Sequence, residues 1–233
     1  MAHSHISINP AILYWGTPVV LISTENADGT HNIGPMSSAF FLTHSCVLGL
    51  DAGSCTTANI LRTGQCVLNL ASDDMVAAVN SIAKTTGSDP VPQKKVARGY
   101  VHLKDKFAAA GFTKFPSEKV APPGISECPV VMEARLTAVH DMFGPTPAKG
   151  AIKALEVEIV NIKVHPRLKM DGHANRIDPD AWNPMIMSFC ELYGVNRGKI
   201  GHSRLAEIDE ESYRMPKMEP TEVEHGDNTK GPK

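Results

Sequence analysis

Between residues 32 and 70 the chain sets two clusters of small hydroxyl residues among short apolar runs, and that alternation leaves little choice of local structure. The first cluster is Asn32-Ile33-Gly34-Pro35-Met36-Ser37-Ser38; the second is Ser54-Cys55-Thr56-Thr57-Ala58-Asn59-Ile60-Leu61-Arg62-Thr63-Gly64. The second lies between two short runs, Cys46-Val-Leu-Gly-Leu-Asp51 and Cys66-Val-Leu-Asn-Leu70. Apolar runs this short read as strands, and the polar segment between them has room only for a short helix. Strand, short helix, strand is therefore the expectation. A helix that opens at Ser54, Thr56 and Thr57 turns hydroxyls and free backbone N–H groups towards one point, with Arg62 placed to balance an anion. That is a phosphate site made without a glycine loop. The same residues also serve as ordinary helix caps, the commoner role of such a cluster.

The rest of the chain extends the β pattern. Residues 18–24 are rich in β-branched side chains and lead into Glu25-Asn26-Ala27-Asp28-Gly29-Thr30, which has strong turn chemistry, so a hairpin returns through Asn32 to Ser38. Residues 130–139 alternate weakly and residues 154–164 more clearly, with a phase slip at Ile159-Val160. One extra residue there is the mark of a bulge, which curves a sheet towards a barrel. Met75, Val76, Val79, Ile82 and Ala83 follow a helical period, with Asp73 or Asp74 as cap and Gly87 as stop. In residues 184–194, Met185, Ile186, Phe189 and Tyr193 fit one face of a second helix. Residues 88–129 read as a long excursion with one helical turn near Lys104, of the kind that serves as a lid or a dimer contact. One domain over residues 1–208 is expected, followed by a polar tail, residues 209–233, that is disordered or crosses to a partner subunit.

Composition removes several classes of function. The net charge is −2 and the basic residues are scattered, so no footprint for nucleic acid or an anionic membrane appears. Five widely spaced cysteines, an odd number, argue for free thiols in a reducing compartment, the cytoplasm by default. No apolar run approaches the ~20 residues of a membrane helix, and the start of the chain lacks the apolar region of a signal peptide. The histidines, including His173 and His202, show no metal-binding spacing, and the cysteines form no Cys-x-x-Cys pair. Serine hydrolase, P-loop and Rossmann motifs are absent. His140 and His165 end alternating runs and stand either near a cofactor or, more commonly, at the surface. Glu156 and Glu158 read as a solvated edge. Cys55 reads as either a reactive or a buried, inert thiol.

The two clusters, followed in order by Glu127-Cys128-Pro129-Val130, Ile177-Asp178-Pro179 and Tyr193-Gly194, resemble the flavin reductase-like family over roughly residues 9–208. That family comprises the split-barrel flavoproteins, among them flavoredoxin and the reductase components of two-component monooxygenases. The resemblance implies a mainly β fold with peripheral helices, a Greek-key split β-barrel that binds FMN, and a homodimer with FMN at the subunit interface. Carried over by position, Asn32, Met36, Ser37 and Ser38 become contacts to the flavin ring. Ser54, Thr56, Thr57, Asn59 and Arg62 become contacts on the phosphate side. The implied activity is an NAD(P)H-dependent FMN oxidoreductase that passes electrons to a partner monooxygenase, to O2 or to a small acceptor, with no side chain acting as catalyst. A tightly bound FMN electron carrier reduced by a protein, and a non-enzymatic flavin- or haem-binding barrel, remain as alternatives. Residues 88–123 form a longer insertion than compact flavin reductases carry.

Overall fold

The computed structural model describes residues 5–195 together with Gly198 and Ile200; the expected tail from Asp209, and His202, lie outside the described residues. After β1 (Trp15–Pro18) come a hairpin of β2 (Val20–Glu25) and β3 (His31–Met36) and a second hairpin of β4 (Ala39–Leu42) and β5 (Ser45–Asp51). Next are α1 (Cys55–Thr63) and β6 (Gln65–Leu70), the strand, helix and strand that the two short apolar runs imply. Much later, β11 (Val130–Asp141) and β12 (Ile152–Val164) form a long antiparallel ribbon. These seven strands make one antiparallel sheet in the order β3-β2-β6-β11-β12-β5-β4.

The connectivity of that sheet dictates its curvature. β3 and β4 are its two outer strands, yet only Ser37 and Ser38 separate them in the chain. Two residues cannot bridge the width of a flat seven-stranded sheet, since neighbouring strands lie about 4.8 Å apart. The sheet must curl until its edges nearly meet, and no ladder of hydrogen bonds joins β3 to β4, so the barrel stays split. The bulge read from the phase slip is present: Glu133 faces Asn161 while Ala134 faces Ile159, leaving Val160 as the extra residue. Both faces of β2 are buried, which explains its unbroken apolar run. Val20 and Ile22 face a core with Leu48, Ile60, Leu68 and Leu155, whereas Leu21 packs outside it with Ile33, Val67 and Ile125.

Short elements cover the second core. They are α2 (Val76–Ser81), β7 (Thr85–Thr86), α3 (Gln93–Val96), β8 (Val101–His102), α4 (Lys106–Ala110), β9 (Lys114–Phe115) and β10 (Gly124–Ile125). Two expectations are corrected here. The helix expected from Asp73 to Gly87 is a 3-10 turn that starts after Ser72 and continues only as α2, because Thr85 and Thr86 leave helical geometry to pair with Val101 and His102. Gly87 stops nothing. The helix expected over residues 184–194 is instead a hairpin of β13 (Ile186–Ser188) and β14 (Glu191–Tyr193), which pairs with β1. Its turn residues Phe189 and Cys190 have φ of 46° and 68°, a left-handed pair that closes a two-residue hairpin and ends any helix. The Trp15 ring meets Phe189 edge-on at 4.6 Å and closes this small sheet. Glu156 and Glu158 lie on β12, inside the sheet rather than at its edge.

Candidate functional site

The seam of the barrel and the start of α1 bring the two hydroxyl clusters together. Ser54 adopts extended geometry and accepts the Thr57 N–H at 3.0 Å, the arrangement of an N-cap. The Thr57 hydroxyl lies 2.8 Å from the Ser54 hydroxyl and donates to the carbonyl of Asp51 at 2.8 Å, so the helix start is fastened to the end of β5. With Thr57 and Ala58 amides satisfied by Ser54, the amides of Cys55 and Thr56 are those left without an intrahelical acceptor. They carry the positive end of the helix dipole.

β3 packs directly on that first turn. The Asn32 amide Nδ2 donates to Thr56 Oγ1 at 3.1 Å, a buried contact between the two clusters. Two residues along, a Cβ on Gly34 would lie 2.3 Å from the same hydroxyl, so only glycine permits this approach. The other amide atom of Asn32, Oδ1, is buried and has no hydrogen-bond partner among the described residues. Its neighbours are Gly87 and Cys55: a Cβ built on Gly87 would fall 2.8 Å from Asn32 Oδ1 and 2.9 Å from Cys55 Sγ. An unsatisfied buried carbonyl oxygen costs about 1–3 kcal/mol, so this atom needs a partner that the chain itself does not supply.

Beyond Gly34 the strand runs into the seam, where Met36 is half-buried, Ser37 buried and Ser38 exposed. The Ser38 carbonyl accepts the Gly49 N–H at 2.8 Å, which fixes the turn from β3 into β4. Asn32, Ser54 and Thr56 thus form one contiguous group, with Met36, Ser37 and Ser38 following from it along β3. Asn59 and Arg62 are turned to other work. Asn59 donates to Thr24 Oγ1 at 3.0 Å and to Asn26 Oδ1 at 2.8 Å, while the Arg62 guanidinium donates to the Glu25 carbonyl. Both tie α1 to the β2–β3 turn.

Two residues that the sequence did not single out for the site stand beside it. Gly87 was read as a helix stop, yet it packs on Asn32 and Cys55. Lys106 on α4 is 3% exposed and donates from Nζ to the Ile33 carbonyl at 2.8 Å, on the free edge of β3, and to the Thr85 carbonyl at 3.5 Å. Burial lowers its pKa to about 8. Nothing local marks either residue; an Asp-Lys-Phe step at the start of a short helix reads as a cap followed by a solvated lysine. Burial also pushes the Cys55 thiol up, and Asn59 and Asn26 contact its sulfur, so it is held as a neutral thiol. All five cysteines are free. His140 is exposed on β11, and exposed His165 uses Nδ1 to accept the Arg167 N–H at 3.2 Å, so both stand at the surface. Among the described residues no three His, Cys, Asp or Glu side chains come together as metal ligands, and no helix is long and apolar enough to cross a membrane.

Known proteins agree with this architecture. The family model described as the flavin reductase like domain matches residues 14–176. The uncharacterised protein YdfE of Bacillus subtilis is 34% identical over 190 residues, covering 82% of this chain and 89% of that protein. Among solved structures, flavoredoxin of Desulfovibrio vulgaris superposes with a TM-score of 0.69 at 22% identity, covering 88% of this chain and 99% of that one. Nitrilotriacetate monooxygenase component B from Bacillus cereus gives a TM-score of 0.67 at 20% identity, over 87% of this chain and 100% of that one. A split sheet whose two edges meet at a two-serine link, a matched domain over most of the described residues and a close relative over most of its length lead to one conclusion: the chain belongs to the flavin reductase-like domain family, a family of flavin oxidoreductases.

Proposed function

We propose that this protein is an FMN-dependent oxidoreductase that draws on NAD(P)H and passes electrons to a partner monooxygenase, to O2 or to a small acceptor. The observation that carries the reading is the Asn32–Thr56 contact, which fixes the ring-side strand against a helix N-terminus at the open seam of the barrel. The donor set suits the cofactor. Asn32, Met36, Ser37 and Ser38 would hold the ring, and the orphaned Asn32 Oδ1 offers an acceptor where a flavin presents its one ring N–H. Ser54, Thr56 and the free amides of Cys55 and Thr56 would take the phosphate. Thr57, Asn59 and Arg62 would hold that first turn in position through the contacts described above. Bound FMN supplies the hydride and electron chemistry, which is why the reading asks no side chain to be an acid, base or nucleophile.

We further propose a homodimer with the seam at its interface. Phe40 and Leu42 on the outer strand β4 are 61% and 62% exposed, beside the seam, and a second copy would cover them. The test of the activity is anaerobic addition of NADH or NADPH to protein loaded with FMN. Rapid bleaching of the bound yellow colour by either nucleotide is the expected result. Failure of both would overturn the reductase and leave a flavin carrier reduced by a protein; protein that takes up no flavin at all would overturn the flavin reading.

A further inference from the structure

Resting on the flavin reading, we propose that a basic patch of Lys84, Lys94, Lys95 and Arg98 around Val96 and Val101 docks an acidic redox protein that takes electrons from the bound flavin. Over the whole chain the basic residues are scattered and the net charge is −2, but residues 84–98 hold these four against one acid, Asp89. Short elements gather them. The turn begun by α3 runs on past Val96, with the Arg98 N–H donating to the Lys95 carbonyl at 3.0 Å, so Lys94 and Arg98 lie about one turn apart. The Tyr100 N–H donates to the same carbonyl at 3.0 Å, and the Val101 N–H donates to the Lys84 carbonyl at 3.2 Å, which fastens Lys84 beside the end of that turn. The Lys95 ammonium lies over the Tyr100 ring, 5.7 Å from its centroid. β7 and β8 run parallel, so Asp89 leaves at their other end, where the Ser88 carbonyl meets His102 Nδ1 at 3.1 Å.

Lys84, Lys94 and Arg98 are exposed, Lys95 is half-buried, and none of the four stands within salt-bridge distance of a carboxylate among the described residues. Val96 and Val101, 57% and 60% exposed, are set among them. An apolar centre with a charged rim is the anatomy of a protein interface. The two valines would gain nothing from a phosphate backbone, which favours an acidic protein over a nucleic acid. The patch also borders the candidate flavin site. Gly87, directly after β7, packs on Asn32 Oδ1 and Cys55 Sγ, so the segment that carries the patch lies against that site. Carboxylates seated on these cations would bring a partner's own redox centre to that side of the molecule and speed the encounter.

The probe is the soluble domain of cytochrome b5, an acidic haem protein, with basic cytochrome c as its counterpart and uncharged p-benzoquinone as a control. Protein loaded with FMN is reduced anaerobically by a stoichiometric amount of dithionite and mixed with each acceptor in a stopped-flow spectrometer. Two electrons pass from the reduced flavin to two ferric haems, which become ferrous, and two protons go to solvent. The quinone takes both electrons and both protons and leaves as hydroquinone. The expected result is a rate constant for cytochrome b5 that falls roughly 10-fold or more between about 10 and about 200 mM ionic strength. Lys94→Glu with Arg98→Glu is expected to lower it by a similar factor at low salt, without slowing cytochrome c or the quinone. Before reduction, the same variant is expected to lose binding to immobilised cytochrome b5 by surface plasmon resonance. Equal cytochrome b5 rates and binding in wild type and variant, or equal losses for both cytochromes, overturn the proposal and leave the flavin reading intact. Transfer RNA retained on a filter by wild type but not by the variant, with cytochrome b5 rates equal, overturns it in favour of nucleic acid. A wild-type protein that takes up no FMN overturns both readings.

Discussion

Glu133 lies on β11 with 1% of its side chain exposed, and its oxygens collect the N–H groups of Glu118 and Lys119, the Asn161 amide at 2.9 Å and the Lys163 ammonium at 3.3 Å. Burial alone would raise its pKa, but these donors outweigh it and hold the carboxyl below its ordinary 4.5. A depressed carboxylate contributes stability that is complete above the unfolded value and lost as pH falls through the folded one. Glu133→Gln is therefore expected to cost about 2–4 kcal/mol at pH 7 by urea unfolding, with the gap to wild type shrinking in acid. Lys106 has the same sign of pH dependence in a higher window. Burial, opposed by Cys55 and reinforced by Lys95, lowers it from 10.5 to about 8, so the unfolded chain binds more protons between those values and stability rises across that window. Neither burial was legible in the sequence, because each rests on distant partners: the acceptor of Lys106 is 73 residues away and the loop N–H groups held by Glu133 are 15 and 14.

At the scale of elements, the alternation of β12 carried real information. A break in phase at Ile159-Val160 has one economical meaning, and the pairing of Glu133 with Asn161 and Ala134 with Ile159 supplies it. Deleting Val160 would keep Asn161 opposite Glu133 and Ile159 opposite Ala134 but remove the extra residue that bends β12, flattening a sheet whose two edges have to approach. The deletion variant is expected to lose more stability than Glu133→Gln in the same unfolding measurement; an equal or smaller loss would mean that the bulge is incidental. Residues 184–194 misled for a physical reason. Met185, Ile186, Phe189 and Tyr193 suit a helical face, but the same spacing suits two three-residue strands, and the deciding turn at Phe189-Cys190 contains no glycine to announce it. Cys190→Gly relieves a left-handed φ of 68° and should raise the unfolding free energy by about 0.5–1 kcal/mol. α2 stopped short because Thr85 and Thr86 pair across the excursion, which no local period reveals.

The whole molecule follows from one topological fact: the outer strands of the main sheet are neighbours in the chain. The sheet curls, its edges approach without pairing, and the link between them is the pair of serines that the family resemblance assigns to the flavin ring. The mainly β character was readable from strand-length runs, the turn at residues 25–30 and the bulge, whereas the split barrel came only from the family resemblance. Which site residues face a ligand was not, since Ser54, Thr56 and Thr57 look alike in sequence while Thr57 is wholly buried against Asp51. At this scale the dimer proposal makes its own prediction. Phe40→Asp with Leu42→Asp, on the exposed face of β4, should move the protein from dimer to monomer mass by light scattering; a wild-type monomer would remove that proposal. The most direct test of the cradle itself is a crystal structure grown with saturating FMN. The expected density places the ring along Asn32 to Ser38 and the phosphate at the first turn of α1. FMN bound away from the seam, or those side chains open to solvent with no nucleotide present, would contradict it.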